Sequence, residues 1–169
     1  MKIKGFITNL DKYIESHLVG EWIEFPIDQN ELNAVLKRIG INKKYKQYFF
    51  TDWECDVDLN FYEFMSIDDV NQMAEQISEW DDKLLTAVIE YCGGLEEALA
   101  TQPDEWLLFT NIADDYDLGY CYAVEIKGVD FGENDSLEMY FDFEAYGRDI
   151  RLETEGAHTA YGWIEYIKR

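Results

Sequence analysis

The stretch TDWECDVDLNFYEF, residues 51–64, sets an acid at every second position: Asp52, Glu54, Asp56 and Asp58, with Glu63 following. Three kinds of chemistry gather carboxylates in this way. The first is calcium binding. With Asp52 as the opening ligand of an EF-hand loop, Glu54, Asp56, Asp58 and Glu63 fall at ligand positions, but the sharp turn that requires Gly is occupied by Val57. Trp53 and Phe61 are also poor loop residues. ADDYDLG, residues 113–119, fails similarly, because Gly119 stands where a third ligand is needed. The second is carboxylate-based hydrolysis. With 36 acids in the chain, some pair lies at a glycosidase-like separation by accident, so such a pair carries no weight. His17 and His158 are the only histidines for nucleophilic catalysis, and they read as ordinary surface or capping residues. No G-x-S-x-G, P-loop or G-x-G-x-x-G is present. The expectation is a protein that is not an enzyme and uses no cofactor and no metal.

The third use is a lattice of charge. On a strand, residues i and i+2 share a face about 6.6 Å apart, so Asp52, Glu54, Asp56 and Asp58 would line one side. Each strand of duplex DNA carries one phosphate per ~3.4 Å of axis. The two spacings are comparable in scale.

The net charge is −22, from 14 bases and 36 acids. It argues against direct binding of nucleic acid or an anionic membrane, and toward a basic partner. It is unevenly spread. Residues 1–50 carry eight bases and six acids, whereas residues 51–169 carry six bases and 30 acids. Between Asp52 and Asp149 only Lys83, Lys127 and Arg148 interrupt 27 acids. A chain adapted throughout to high salt would thin its lysines everywhere, so the local excess favours a binding surface. The later net of −24 matches the charge on about 40 Å of duplex, or roughly 12 base pairs. An aromatic content of 16% sets the chain apart from disordered acidic tails. Cys55, Cys92 and Cys121 have no C-x-x-C spacing and read as reduced, mostly buried thiols of a cytoplasmic protein. The opening MKIKGFITNL lacks a secretory h-region, and no 18-residue apolar run predicts a membrane span.

The elements that must position these acids follow from periodicity. Residues 2–8 and 20–27 read as strands, the second with Ile23, Phe25 and Ile27 on one face. Asp28 caps a helix with Glu31 in its first turn, Leu32, Val35, Leu36 and Ile39 on one face and Gly40 at the end. YKQYFFTDWE reads as a third strand. Ser66 and Asp69 open a second helix carrying Val70, Met73, Ala74 and Ile77, and Leu84, Leu85, Val88, Ile89 and Cys92 mark another, closed by Gly93 and Gly94. LEEALA is a short helix, and Pro103 marks a boundary. EWLLFTN is a strand, Asp114 to Ile126 is helical, and Ser136 caps a helix to Tyr146 with Gly147 as its C′ residue. IRLET and AYGWIEYIK read as strands. The expected class is α+β: an elongated chain of three small domains, α+β over 1–60, acidic and mainly helical over 61–103, and α+β over 104–169.

Three segments resemble the ArdA family of antirestriction proteins. Asn9-Leu10-Asp11-Lys12-Tyr13 with Leu18, Gly20, Trp22 and Pro26 looks like the family's opening segment. Asp52-Trp53-Glu54 is similar to its acid–aromatic–acid step. Ala145-Tyr146-Gly147-Arg148-Asp149 resembles its C-terminal signature. Asp11 departs from the pattern, standing where glycine is expected. The resemblance implies an elongated three-domain homodimer, joined through its C-terminal domain and typically carried on mobile genetic elements. It implies a surface that imitates bent B-form DNA and occupies the DNA groove of type I restriction–modification enzymes, on the methyltransferase core. On the charge argument, the phosphate mimics would be Asp52, Glu54, Asp56, Asp58, Asp68, Asp69, Glu75, Glu79, Asp81, Asp82, Glu90, Glu96, Glu97, Asp114, Asp115, Asp117, Glu125, Glu133, Asp135 and Glu138. Arg148, among Asp142, Glu144 and Asp149, is expected to make a structural ion pair at its helix end. The competing reading is a general acidic interaction protein that binds one basic partner.

Overall fold

The computed structural model describes residues 1–56, 61–132 and 137–167. Asp58, Glu133, Asp135 and the expected cap Ser136 lie outside them. The fold is α+β, with seven helices among the described residues and two three-stranded antiparallel sheets. Contacts divide it into two compact units, Met1–Glu79 and Trp80–Arg169.

In the first unit β1 (Ile3–Asn9) is the central strand, between β2 (Gly20–Phe25) and β3 (Tyr48–Cys55). Its odd positions Ile3, Gly5 and Ile7 are buried, as the period of a half-covered strand requires. Ile23 and Phe25 are buried on β2, as alternation predicts, while Trp22 is 42% exposed. A bulge after Phe6 skips Thr51, so Phe6 faces Asp52 and Ile7 faces Phe50. Two helices, α1 (Leu10–Ile14) and α2 (Gln29–Arg38), follow β1 and β2. Asp28 caps α2 by accepting from the Asn30 and Glu31 amides, and Leu32, Val35 and Ile39 are buried. Asp11, the departure from the family pattern, has a local role: its carboxylate accepts from the Lys46 and Gln47 amides at 2.8 and 3.3 Å.

The segment expected to form a separate central domain is shared between the units. α3 (Ile67–Ser78) joins the first, because the Asn71 side chain bonds both the amide and the carbonyl of Ile27, at 2.8 and 3.0 Å. α4 (Asp82–Cys92) and α5 (Leu95–Leu99) join the second. Tyr91 of α4 meets Trp106 edge-on at 5.2 Å, and Glu90 accepts from the Ala160 amide at 3.0 Å. Pro103 therefore begins a one-turn 3₁₀ helix inside the second unit, a position that suits a residue without an N–H.

The second sheet runs β4 (Trp106–Thr110), β6 (Gly162–Tyr166), β5 (Gly156–Thr159). α6 (Asp115–Tyr120) passes into a π-helical turn over Cys121–Ile126, and α7 (Phe143–Glu153) packs against α6. Here two expectations are corrected. IRLET is not a strand: Ile150 to Glu153 are the last residues of α7, whose buried face is Phe143, Gly147 and Ile150. Gly147 is not a C′ glycine but lies inside that helix. A Cβ on Gly147 would overlap the Asp115 carbonyl oxygen and lie 2.7 Å from the Gly119 nitrogen, so the two helices touch backbone to backbone. The cap of α7 is Asp142, which accepts from the Ala145 amide at 2.9 Å. Of the cysteines, only Cys121 is buried; Cys55 and Cys92 are half-buried. No helix among the described residues is long and apolar enough to cross a membrane.

Candidate functional site

The acids divide according to what already holds them. On β3, Asp52 and Glu54 project from the exposed face, as period two predicts. That face is partly neutralised. Lys4 sits in register with Glu24 on one side and Glu54 on the other, and its ammonium lies 2.9 Å from Glu54. The hydrogen bond to Glu54 raises the Lys4 pKa above the ordinary lysine value. Lys2 bonds Glu24 at 2.6 Å, and its backbone amide donates to Asp56 at 3.4 Å. Glu54 and Asp56 thus act first as cross-strand partners of β1.

On α3 the acids have no such partner. Asp68, Glu75 and Glu79 recur at steps of seven and four residues, which places them within one narrow sector. Val70, Ala74 and Ile77 are buried on the other side, and Asp69 lies beside the acidic sector, also exposed. No base among the described residues pairs with any of the four.

In the second unit several predicted acids hold backbone. Asp81 caps α4 through the Lys83 and Leu84 amides, and Asp114 caps α6 through the Asp117 amide. Half-buried Asp117 accepts from the Ala113 amide. Asp82, Glu96, Glu97 and Glu125 are exposed, as is Glu90 with its bond to Ala160; Glu138 is half-buried. Glu125 also lies 3.5 Å from the Cys121 sulfur.

Asp115 is different in kind. Arg151 grips both of its oxygens, at 2.8 and 3.0 Å, and His158 Nε2 lies 3.4 Å from one of them. The Arg151 hydrogen bond holds the carboxyl below its usual value, against the opposing effect of burial. Its charge is committed to tying α6 to α7. This is the ion pair expected of Arg148. Arg148 itself lies 3.8 Å from neighbouring Asp149, both side chains are more than half exposed, and such a pair stabilises little. Within the C-terminal signature, Tyr146 packs edge-on to Phe141 and Gly147 makes the helix crossing. Arg148 and Asp149 face outward.

Two features escaped sequence reasoning. Glu165 accepts from the Tyr122 hydroxyl and, at 3.3 Å, from the Trp163 indole, which makes it an interior strut. Burial first, then that bond, pushes the Tyr122 phenol pKa far up. The other is a basic loop before β3, described below. Among the described residues no group of three or more His, Cys, Asp or Glu side chains could hold a metal ion.

The first unit holds 15 acids and eight bases, and the second 21 acids and six bases. The net acidity is thus heavier in the second unit, while the clearest uncompensated row lies on α3 of the first. No curated protein matches the chain. A family model described as Antirestriction protein (ArdA) matches residues 5–165. With nearly its whole length matched, the chain belongs to the ArdA family of antirestriction proteins.

Proposed function

We propose that the chain blocks restriction by standing in for B-form DNA in the DNA-binding site of a type I restriction–modification enzyme. Exposed carboxylates take the place of phosphates on the methyltransferase core, and the protein performs no reaction of its own. The α3 row carries this reading. Asp68, Asp69, Glu75 and Glu79 span about 16 Å of helix, a length over which one DNA strand carries about five phosphates. A DNA-binding enzyme gains much of its affinity by releasing counterions, and a folded acidic surface offers the same release without a recognition sequence. Enzymes of differing sequence specificity are therefore inhibited alike, and complementary fields raise the association rate.

Asp52, Glu96, Glu97 and Glu125 extend the mimic. Glu54, Asp56 and Asp115 serve the fold first, and contribute to the field more than to contacts. In this reading the working form is a cytoplasmic homodimer joined through its C-terminal part.

The test is displacement of labelled duplex from a type I methyltransferase. The chain should compete with DNA, with an affinity that falls steeply as salt rises. Asp68→Asn, Asp69→Asn, Glu75→Gln and Glu79→Gln together should weaken displacement by roughly ten-fold or more, and any one of them by less than about three-fold. Loss of inhibition from one Asp→Asn change would require a point-like site. Binding to a single basic protein without competition from DNA would establish the general acidic interaction protein instead.

A further inference from the structure

KRIGINKKYK, residues 37–46, holds five bases and no acid in a chain of net charge −22. Part of this has a local cause. Lys37 and Arg38 end α2, where cations suit the negative end of the helix. Arg38 is further engaged by Glu21 through bonds of 2.9 and 2.6 Å. The lysines beyond the helix have no such cause.

The loop that carries them is built, not loose. Asn42 Oδ1 accepts from the Lys44 and Tyr45 amides at 2.8 and 3.1 Å, and the Asn42 amide donates to the Tyr45 carbonyl at 2.7 Å. Asp11 receives the Lys46 and Gln47 amides. Lys44 rests 4.6 Å from the centre of the Tyr45 ring, and Lys12 5.8 Å from it. The two acids that reach this loop are engaged by other groups: Asp11 by those amides, Glu15 by the Tyr45 hydroxyl. Lys43 and Lys46 are exposed, and among the described residues their ammonium groups meet no carboxylate. In the same unit Lys2, Lys4 and Arg38 each have one.

We propose that this loop is a second contact surface, which docks on an acidic protein face beside the DNA groove of the target enzyme while the acids occupy the groove. This rests on the reading under Proposed function. A groove made for phosphates is lined with cations and repels Lys43 and Lys46, so charge complementarity leaves an acidic rim as their partner. Lysines suit such a rim, being point charges on flexible stems that need no fixed bidentate geometry. Duplex DNA is the other polyanion the loop would fit, and binding of free duplex is therefore one arm of the test.

The sign of one experiment decides. Lys43→Glu with Lys46→Glu removes two positive charges and adds two negative ones. If acidity alone governed binding, this variant would displace duplex from the methyltransferase better than the parent. The docking loop predicts the opposite, a loss of roughly three- to twenty-fold at about 50 mM salt that shrinks at about 500 mM. The neutral pair Lys43→Gln and Lys46→Gln should fall between, and equal melting temperatures for all three proteins exclude damage to the fold. Equal or tighter displacement by the glutamate variant overturns the proposal. So does measurable binding of free duplex by the parent that the variant loses, which would make the loop a nucleic-acid contact. Failure of the parent itself to displace DNA would instead sink the parent reading, and this one with it.

Discussion

One methyl group placed on Gly147 tests how the second unit is held together. Gly147→Ala would gain about 1 kcal/mol from helix propensity if nothing else touched the site. The added Cβ, however, overlaps the Asp115 carbonyl oxygen and lies 2.7 Å from the Gly119 nitrogen, where carbon contacts ordinarily sit at about 3.5–4.0 Å. Both obstacles are backbone and cannot rotate aside. α6 and α7 must part by roughly 1 Å, which loosens Phe143 and Ile150 and stretches the Arg151–Asp115 pair. Overpacking of this kind costs about 1–3 kcal/mol, and the strained pair adds to it. The net expectation is destabilisation by about 2 kcal/mol, read as a lower urea midpoint at unchanged slope, with tryptophan fluorescence as probe. Gly93→Ala is the control. Its φ is 86° and nothing lies within 4 Å of an added Cβ, so only the left-handed backbone penalty of about 1 kcal/mol applies. Gly119→Ala combined with Gly147→Ala should cost less than the sum, since either methyl alone already separates the helices. A Gly147→Ala protein as stable as its parent would refute the backbone contact.

Two further outcomes follow from the same unit. The Asp115 carboxyl is held below its ordinary value of 3.8, so the unfolded chain takes up this proton first as pH falls. The stability the pair contributes is present above that value and is lost as pH drops through the lower folded value. Asp115→Asn should cost about 1–2 kcal/mol at neutral pH and flatten that part of the acid limb in urea titrations between about pH 2 and 5. An unchanged acid limb would contradict the geometry. Burial first, and then the bond to Glu125, pushes the Cys121 thiol up to about 11, leaving about one thiolate in a thousand at pH 8. Iodoacetamide should therefore reach Cys121 only when the second unit unfolds, whereas Cys55 and Cys92 react in the folded protein, Cys92 slowly because burial also raises its thiol. Peptide mapping by mass spectrometry reads the order.

Local grammar carried most of the elements. Asp28, Ser66 and Gly93 sit where caps and stops belong, and alternation located the buried face of β2. The failures share a cause. Local rules make Gly147 a stop and the isoleucine of IRLET a strand former, but a partner 28 to 36 residues earlier decides both. Gly119 needs Gly147 small, and Asp115 gives Arg151 a reason to continue the helix. β5, the segment GAHT, has no strand composition of its own and exists because β6 lends it a ladder. Contacts of that range leave no periodic trace in a single sequence.

The acids make the same point about function. Alternation through Asp52, Glu54 and Asp56 makes this row a candidate mimic, yet pairing with β1 brings the Lys4 ammonium onto Glu54, and the Lys2 backbone amide donates to Asp56. Asp68, Glu75 and Glu79 are spaced for one face of a helix, and among the described residues no base pairs with them. Charge type is legible from a sequence, whereas charge compensation is a property of tertiary neighbours. A surface that competes with DNA depends on the second. The same logic separates Lys4, which serves Glu54, from Lys43 and Lys46, which serve no carboxylate among the described residues. In both signs, the side chains that the fold leaves uncompensated are the ones free to meet a partner.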